Sequence, residues 1–189
     1  MFDAIVVGLG GVGSFALRAL SKEKSGSFLG VEKFIHGHSK GSSHGLTRIY
    51  RRAYFENIKY VPWIEYSLGQ FHQMQVKHHS PLLQESGTLL MSPKGQGEKD
   101  LPPLLKSAMA SALEHSISVH LMETEELRNS YPQFNYSGIH ESLMGLLEPG
   151  GGILRPELIL SAAIEEARNS DASVSIRDNT SVEGFELVE

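Results

Sequence analysis

The chain contains no cysteine. That excludes a disulfide, a thiolate-held zinc or iron–sulfur site and a thiol nucleophile within these 189 residues. It also makes a cytoplasmic compartment the default expectation. No apolar run approaches the roughly 18 residues of a membrane span, so no membrane partner is expected. The first apolar stretch, Ala4 to Val7, follows Asp3 and is far too short for a secretory signal. An excess of positive charge is missing as well. Lys and Arg number 17 against 22 Asp and Glu, a net charge of −5, so the chain is not built to coat nucleic acid. What is present is an ordinary globular composition, 40% hydrophobic and 21% charged, long enough for a sizeable core.

The first thirty residues read as a β-α-β unit. Asp3 to Gly8 is a continuous apolar strand, the pattern of a strand buried on both faces. Gly8, Gly10 and Gly13 then fall in G-x-G-x-x-G spacing. A helix follows, with Val12, Phe15, Ala16, Ala19 and Leu20 on one expected apolar face. A second strand, Ser27 to Val31, ends at Glu32. The chemistry fits a dinucleotide. Gly8 permits a tight turn, Gly10 lets a pyrophosphate approach the backbone, and Gly13 lets the helix pack close on the strand. The helix N-terminus offers free N–H groups and partial positive charge to the phosphates. Glu32 stands where an acid accepts hydrogen bonds from the ribose hydroxyls. The motif alone does not choose between FAD and NAD.

Acidic residues are absent from one long stretch, residues 33–55. It holds Lys33, Lys40, Arg48, Arg51 and Arg52 among glycines and serines, a loop suited to an anionic ligand. His36, His38 and His44 lie there too, but no carboxylate is nearby to complete a ligand set, so no metal is expected. A cation near a flavin ring would stabilise the charge of reduction, and a guanidinium can grip a substrate carboxylate. Spacing alone leaves open which arginine does which. Arg52 is read as a surface charge, and His78–His79 as a solvated pair.

Further on, residues 58–75 read as a helix in which Trp63 is expected in the core. Leu83 to Pro93 reads as one strand. Pro102 and Pro103 open a helix. Ile117 to Leu121 reads as a strand, Glu123 to Ser130 as a short helix and Pro132 to Ser137 as a loop. Gly150, Gly151 and Gly152 form a junction, and Pro156 opens another helix. Val174 to Ile176 and Ser181 to Leu187 read as strands.

The stretch HSKGSSHGLTRIYRRAY, residues 38–54, resembles the monomeric sarcosine oxidase and pipecolate oxidase family, FAD-dependent amine oxidases of the D-amino-acid-oxidase-like superfamily. YVPWIEYSLGQFHQM, SGTLLMSPKG and EPGGGILRPELIL extend the likeness over essentially the whole chain. The resemblance implies an α/β fold: a Rossmann-like FAD/NAD(P)-binding domain with an inserted α+β substrate domain, both incomplete at the C-terminus. Residues 1–57 and 145–189 would form the FAD-binding domain, and 58–144 part of the substrate domain. FAD would be held by Gly8, Gly10, Gly11, Val12, Gly13, Glu32, Lys33, Ser42, Ser43, Thr47 and Arg48, with Val182 touching the adenine. Arg48, beside the isoalloxazine ring, and His44 would be catalytic, and Arg51 would bind the substrate carboxylate. Ser43 stands where bacterial relatives often carry histidine, a departure that does not threaten the FAD reading.

The implied reaction oxidises a secondary amino acid such as sarcosine or pipecolate to an imine, with molecular oxygen leaving as hydrogen peroxide. Family members are substantially longer, and their later half carries a lysine over the flavin. The alternative is therefore a truncated, inactive flavoprotein fragment or a subunit needing a complementary half, and an open sheet edge favours self-association. A peroxisomal location stays open, although the chain ends Leu187-Val188-Glu189 without that address.

Overall fold

The structure is a computed structural model that describes residues 1–94, 100–136 and 142–187. Packing divides them into two compact units. The first comprises Met1–Arg48, Met74–Leu82 and the described part of Arg155–Glu189; the second comprises the described residues of Ile49–Gln73 and Leu83–Leu154. The boundaries expected from sequence lay at 57/58 and 144/145.

The first unit is built on a parallel sheet. Strand β1 (Ala4–Val7) runs into helix α1 (Gly11–Glu23) and returns as β2 (Ser27–Val31). Helix α5 (Pro156–Arg168) leads into β9 (Ser173–Arg177). Sheet order is β1-β2-β9, with Ala4 opposite Phe28 and Phe28 opposite Val174. Leu9, Leu17, Phe28, Ile164 and Ala167 form its core, so α1 and α5 pack side by side over one sheet face. The other face of β1 is open: Ile5 is 57% and Val7 63% exposed. The expectation of a strand buried on both faces is thus overturned, because among the described residues nothing covers that side.

Helix α1 also turns a different face inward from the one its apolar residues suggest. It buries Ser14, Leu17, Arg18 and Ser21, while Val12 is 88% exposed. Each buried polar group has a partner. Ser14 Oγ donates to the Leu9 carbonyl, Ser21 Oγ to the Arg18 carbonyl, and Arg18 Nε to Glu166 of α5 at 2.8 Å.

The second unit holds two sheets, ordered β3-β8-β4 and β5-β7-β6. Their strands are β3 (Arg48–Tyr50), β4 (Leu83–Glu85), β5 (Thr88–Lys94), β6 (His120–Glu123), β7 (Ser142–Glu148) and β8 (Gly152–Leu154). Helices α2 (Val61–His78), α3 (Pro103–Glu114) and α4 (Thr124–Ser130) complete the chain, α2 being preceded by a 3-10 turn, Ile58–Tyr60. The single strand expected over Leu83–Pro93 is two. Gly87, at φ +77°, turns the chain between them, a left-handed conformation that glycine adopts without strain. The strand expected at Ile117–Leu121 begins instead at His120, and Ile117 sits in a core cluster with Val61, Leu105, Ala108 and Leu146. Trp63, expected in the core, is 70% exposed on α2, in edge contact with Tyr60.

Residues 181–187 form no strand. Backbone pairing along that side of the sheet ends with Thr180 N–H donating to the Glu32 carbonyl, and a strand needs a ladder partner that is absent among the described residues. Of the loop expected over Pro132–Ser137, Ser137 lies outside the described residues. No described helix is long and apolar enough to cross a membrane.

Candidate functional site

The glycine turn is fixed by backbone geometry. Gly8 has φ +86°, a value that disfavours any side chain, and its N–H donates to the Val31 carbonyl. A Cβ on Gly13 would lie 1.8 Å from the Gly8 carbonyl oxygen, so α1 approaches the turn as closely as it does only because that atom is missing. Gly10 caps the helix without a side chain to offer. The cap comes from the distant loop instead: Ser43 Oγ accepts the Gly11 N–H at 2.9 Å. A loop hydroxyl therefore meets an amide at the positive end of the helix dipole, where a phosphate oxygen is favoured.

Glu32 closes β2 and is buried, 5% exposed. Its Oε2 accepts Leu9 N–H at 2.7 Å and its Oε1 accepts Phe34 N–H at 3.1 Å. Burial alone would raise its pKa. The backbone donors from Leu9 and Phe34, with His38 beside them, outweigh that and hold it below the ordinary carboxylate range. Glu32 is thus ionised at neutral pH and bound to the same turn as the glycines.

The basic loop packs over this turn. Gly10, His38, Ser42 and Ser43 line a cavity of about 220 Å³. Arg48 Nη1 donates to the Ser42 carbonyl at 2.7 Å, and His44 Nδ1 donates to the Gly41 carbonyl. Gly45 N–H donates to Glu157 in the first turn of α5. His36 pairs with Asp178 at 2.8 Å. The three histidines therefore have three different partners, and no group of three metal-ligating side chains occurs among the described residues. Lys33 lies over the Phe34 ring at 5.7 Å. Thr47 is exposed, and Val182, 45% exposed, lies in irregular chain beyond β9.

Gly8, Gly10, Gly11, Gly13, Glu32, Ser42 and Ser43 are thus brought together, whereas Val12, Thr47 and Val182 make no polar contact with them. The groups present fit a dinucleotide: a glycine-lined helix N-terminus, loop serines beside it, and an ionised carboxylate bound to the same backbone.

In the second unit, Arg51 Nη2 donates to both oxygens of Glu56, at 2.7 and 2.9 Å. Its guanidinium lies 4.3 Å from the Phe55 ring centre and 4.9 Å from that of Tyr54. Arg51 Nε is buried without a hydrogen-bond partner among the described residues. Arg52 is not the surface charge expected of it. Its Nε and backbone N–H both donate to Glu148, which also takes Ala53 N–H and is 3% exposed. In the first unit, His78, expected in solvent, reaches buried Glu166 at 3.2 Å. Sequence reasoning passed over Glu148 and, having set aside a metal, gave His38 no role. The only cue to Glu148 was its place beside the Gly150–Gly152 run.

A family model described as FAD dependent oxidoreductase (DAO) matches residues 3–189. Monomeric sarcosine oxidase from Arthrobacter sp. (strain TE1826) is 33% identical over 188 residues, which are 100% of this chain and 46% of that protein. N-methyl-L-tryptophan oxidase from Yersinia pestis (strain Pestoides F) is 28% identical over 173 residues, 92% of this chain and 44% of that protein. Among solved structures, L-proline dehydrogenase from P. horikoshii superposes with a TM-score of 0.75 at 20% identity, covering 99% of this chain and 46% of that one. Glycine oxidase from Bacillus cereus gives 0.73 at 16% identity, covering 100% and 49%. These likenesses show the α/β fold of such oxidases. The chain spans a little under half the length of the curated relatives it matches.

Proposed function

The chain belongs to the FAD dependent oxidoreductase family, and from that premise we propose that it is the FAD-gripping part of an oxidase acting on a secondary amino acid such as sarcosine or pipecolate. The observation that carries this reading is the joined turn: Gly13 against Gly8, Ser43 on the Gly11 amide, and ionised Glu32 on the Leu9 amide. The first unit is the cofactor domain in this reading, and the second is part of a substrate domain.

FAD, when bound, would supply a two-electron acceptor: the amine would give up two electrons and two protons, from its C–H and N–H, to become an imine, and oxygen would finally receive both electrons and both protons as hydrogen peroxide. The chain's own residues bind and orient. Gly10, Gly11, Ser42 and Ser43 would cradle the diphosphate, Glu32 would accept from the ribose, and Arg48 would place positive charge by the ring. Val12, Lys33, Thr47 and Val182 would add contacts along the cofactor, and His44 would serve the reacting end. Arg51 would hold the substrate carboxylate, exchanging the Glu56 carboxylate for that of the amino acid.

A second reading is a truncated, catalytically inactive flavoprotein fragment that binds FAD weakly or not at all, or a subunit needing a complementary half. It is favoured by the 46% coverage of the sarcosine oxidase. One experiment separates the two. The purified chain, mixed with FAD and desalted, is expected to keep flavin absorbance. Anaerobic addition of sarcosine or pipecolate bleaches it under the first reading and leaves it yellow under the second. A chain that retains no flavin overturns the first reading and supports the second.

A further inference from the structure

His38 is the one loop histidine that faces a buried acid. Its own N–H closes a turn on the Ile35 carbonyl, and the next turn sends Lys40 N–H to His38 Nδ1 at 2.9 Å. A ring nitrogen that accepts carries no proton, so the neutral ring must carry it on Nε2. Nε2 lies 3.3 Å from Glu32 Oε1. The ring cannot swing away easily: Phe34 meets it edge-on at 4.9 Å, and Phe34 is itself covered by Lys40 Nζ at 4.3 Å.

Lone pairs can then be counted on Glu32. Each carboxylate oxygen has about two acceptor sites. Oε1 accepts Phe34 N–H and has His38 Nε2 beside it at 3.3 Å; Oε2 accepts Leu9 N–H, and the Lys33 backbone N–H is a further donor to the carboxylate. Beyond its backbone donors the carboxylate keeps an acceptor site. The same imidazole lines the cavity with Gly10, Ser42 and Ser43.

Resting on the FAD reading above, we propose that His38 is a positioning residue: its ring, with Nε2 3.3 Å from Glu32 Oε1, holds the Glu32 carboxylate so that an acceptor site is presented to one hydroxyl of the adenosine ribose. His38 thereby acts on the cofactor through Glu32.

Flavin fluorescence quenching on the 189-residue chain gives the FAD dissociation constant for the parent and its variants. His38→Phe keeps the ring packing and removes the donor, and is expected to weaken FAD binding about tenfold. His38→Gln restores an N–H at similar reach and should bind within about twofold of the parent. On a Glu32→Ala background, His38→Phe should add no further loss. Without any FAD, nitrogen-15 NMR of the free chain should show the His38 proton on Nε2. Parent-like binding by His38→Phe, equal weakness of both His38 variants, or additive losses with Glu32→Ala would each overturn the proposal, as would a proton on Nδ1. A parent chain that takes up no FAD removes the FAD reading instead, and the ring tautomer then decides whether His38 holds Glu32.

Discussion

The glycines of the turn do different work, and single substitutions separate them. Gly13→Ala places a methyl 1.8 Å from a backbone oxygen, which neither a rotamer change nor a small shift relieves. We expect a loss of about 3 kcal/mol or more in chemical denaturation. Gly10→Ala puts its methyl 3.5 Å from Ser43 Oγ, an ordinary contact. Its stability should fall by about 1 kcal/mol at most, while FAD affinity measured by fluorescence quenching falls several-fold. Equal stability losses for the two variants would refute that division of labour. These roles were legible in the sequence because they follow from the spacing of glycines on a strand-turn-helix. The Ser43 cap and the His38–Glu32 contact were not, since each joins residues whose proximity depends on how a loop folds back. Charge and composition marked the loop as a ligand site, but no local pattern told which histidine faced inward.

At the level of elements, α1 shows why periodicity gave the wrong face. The apolar residues Val12, Ala16 and Ala19 point outward, while Arg18 points inward because α5 supplies Glu166. Hydrophobic period assumes that polar side chains seek water; a buried carboxylate on a neighbouring helix reverses that choice. Glu166 meets Arg18 and Lys22 directly, with His78 beside them. Burial raises its pKa, but the hydrogen bonds from Lys22 and Arg18 overcome this and bring it down to about 2. A carboxylate whose folded pKa lies below its unfolded value of about 4.5 stabilises the fold fully above that value. The contribution, about 3 kcal/mol, is lost as pH falls from roughly 5 to 2. Glu166→Gln should therefore destabilise the chain by about 3 kcal/mol at pH 7, and parent and variant should converge near pH 2. Parallel pH curves would refute this.

The second unit has its own buried acid. Glu148→Ala would leave the Arg52 and Ala53 amides and a guanidinium without their acceptor, at a cost of about 3 kcal/mol by thermal unfolding. Glu148→Gln, which keeps the acceptor oxygen, should recover a large part of that loss.

For the molecule as a whole, the open side of the parallel sheet is the dominant fact. Parallel sheets are ordinarily covered on both faces, and the unbroken apolar run Ala4–Val7 reads that way in sequence. Here, among the described residues, only the face under α1 and α5 is covered. Ile5 and Val7 stand 57% and 63% exposed on the other, and β1 pairs with β2 alone among the described residues. The sequence carried the demand for a cover but not its source, because what a strand packs against is a property of the rest of the fold. An unpaired strand edge beside exposed branched side chains is a template for association. In purified form the nearest matching surface is a second copy of the chain. Light scattering is therefore expected to show mass rising with concentration. Ile5→Lys with Val7→Lys should suppress that rise, each charge removing a contact worth about 2 kcal/mol from the paired faces. Far-ultraviolet circular dichroism should stay unchanged, since neither side chain contributes to the α1–α5 core. A concentration-independent monomer before substitution, or undiminished association after it, would place the sticky surface elsewhere.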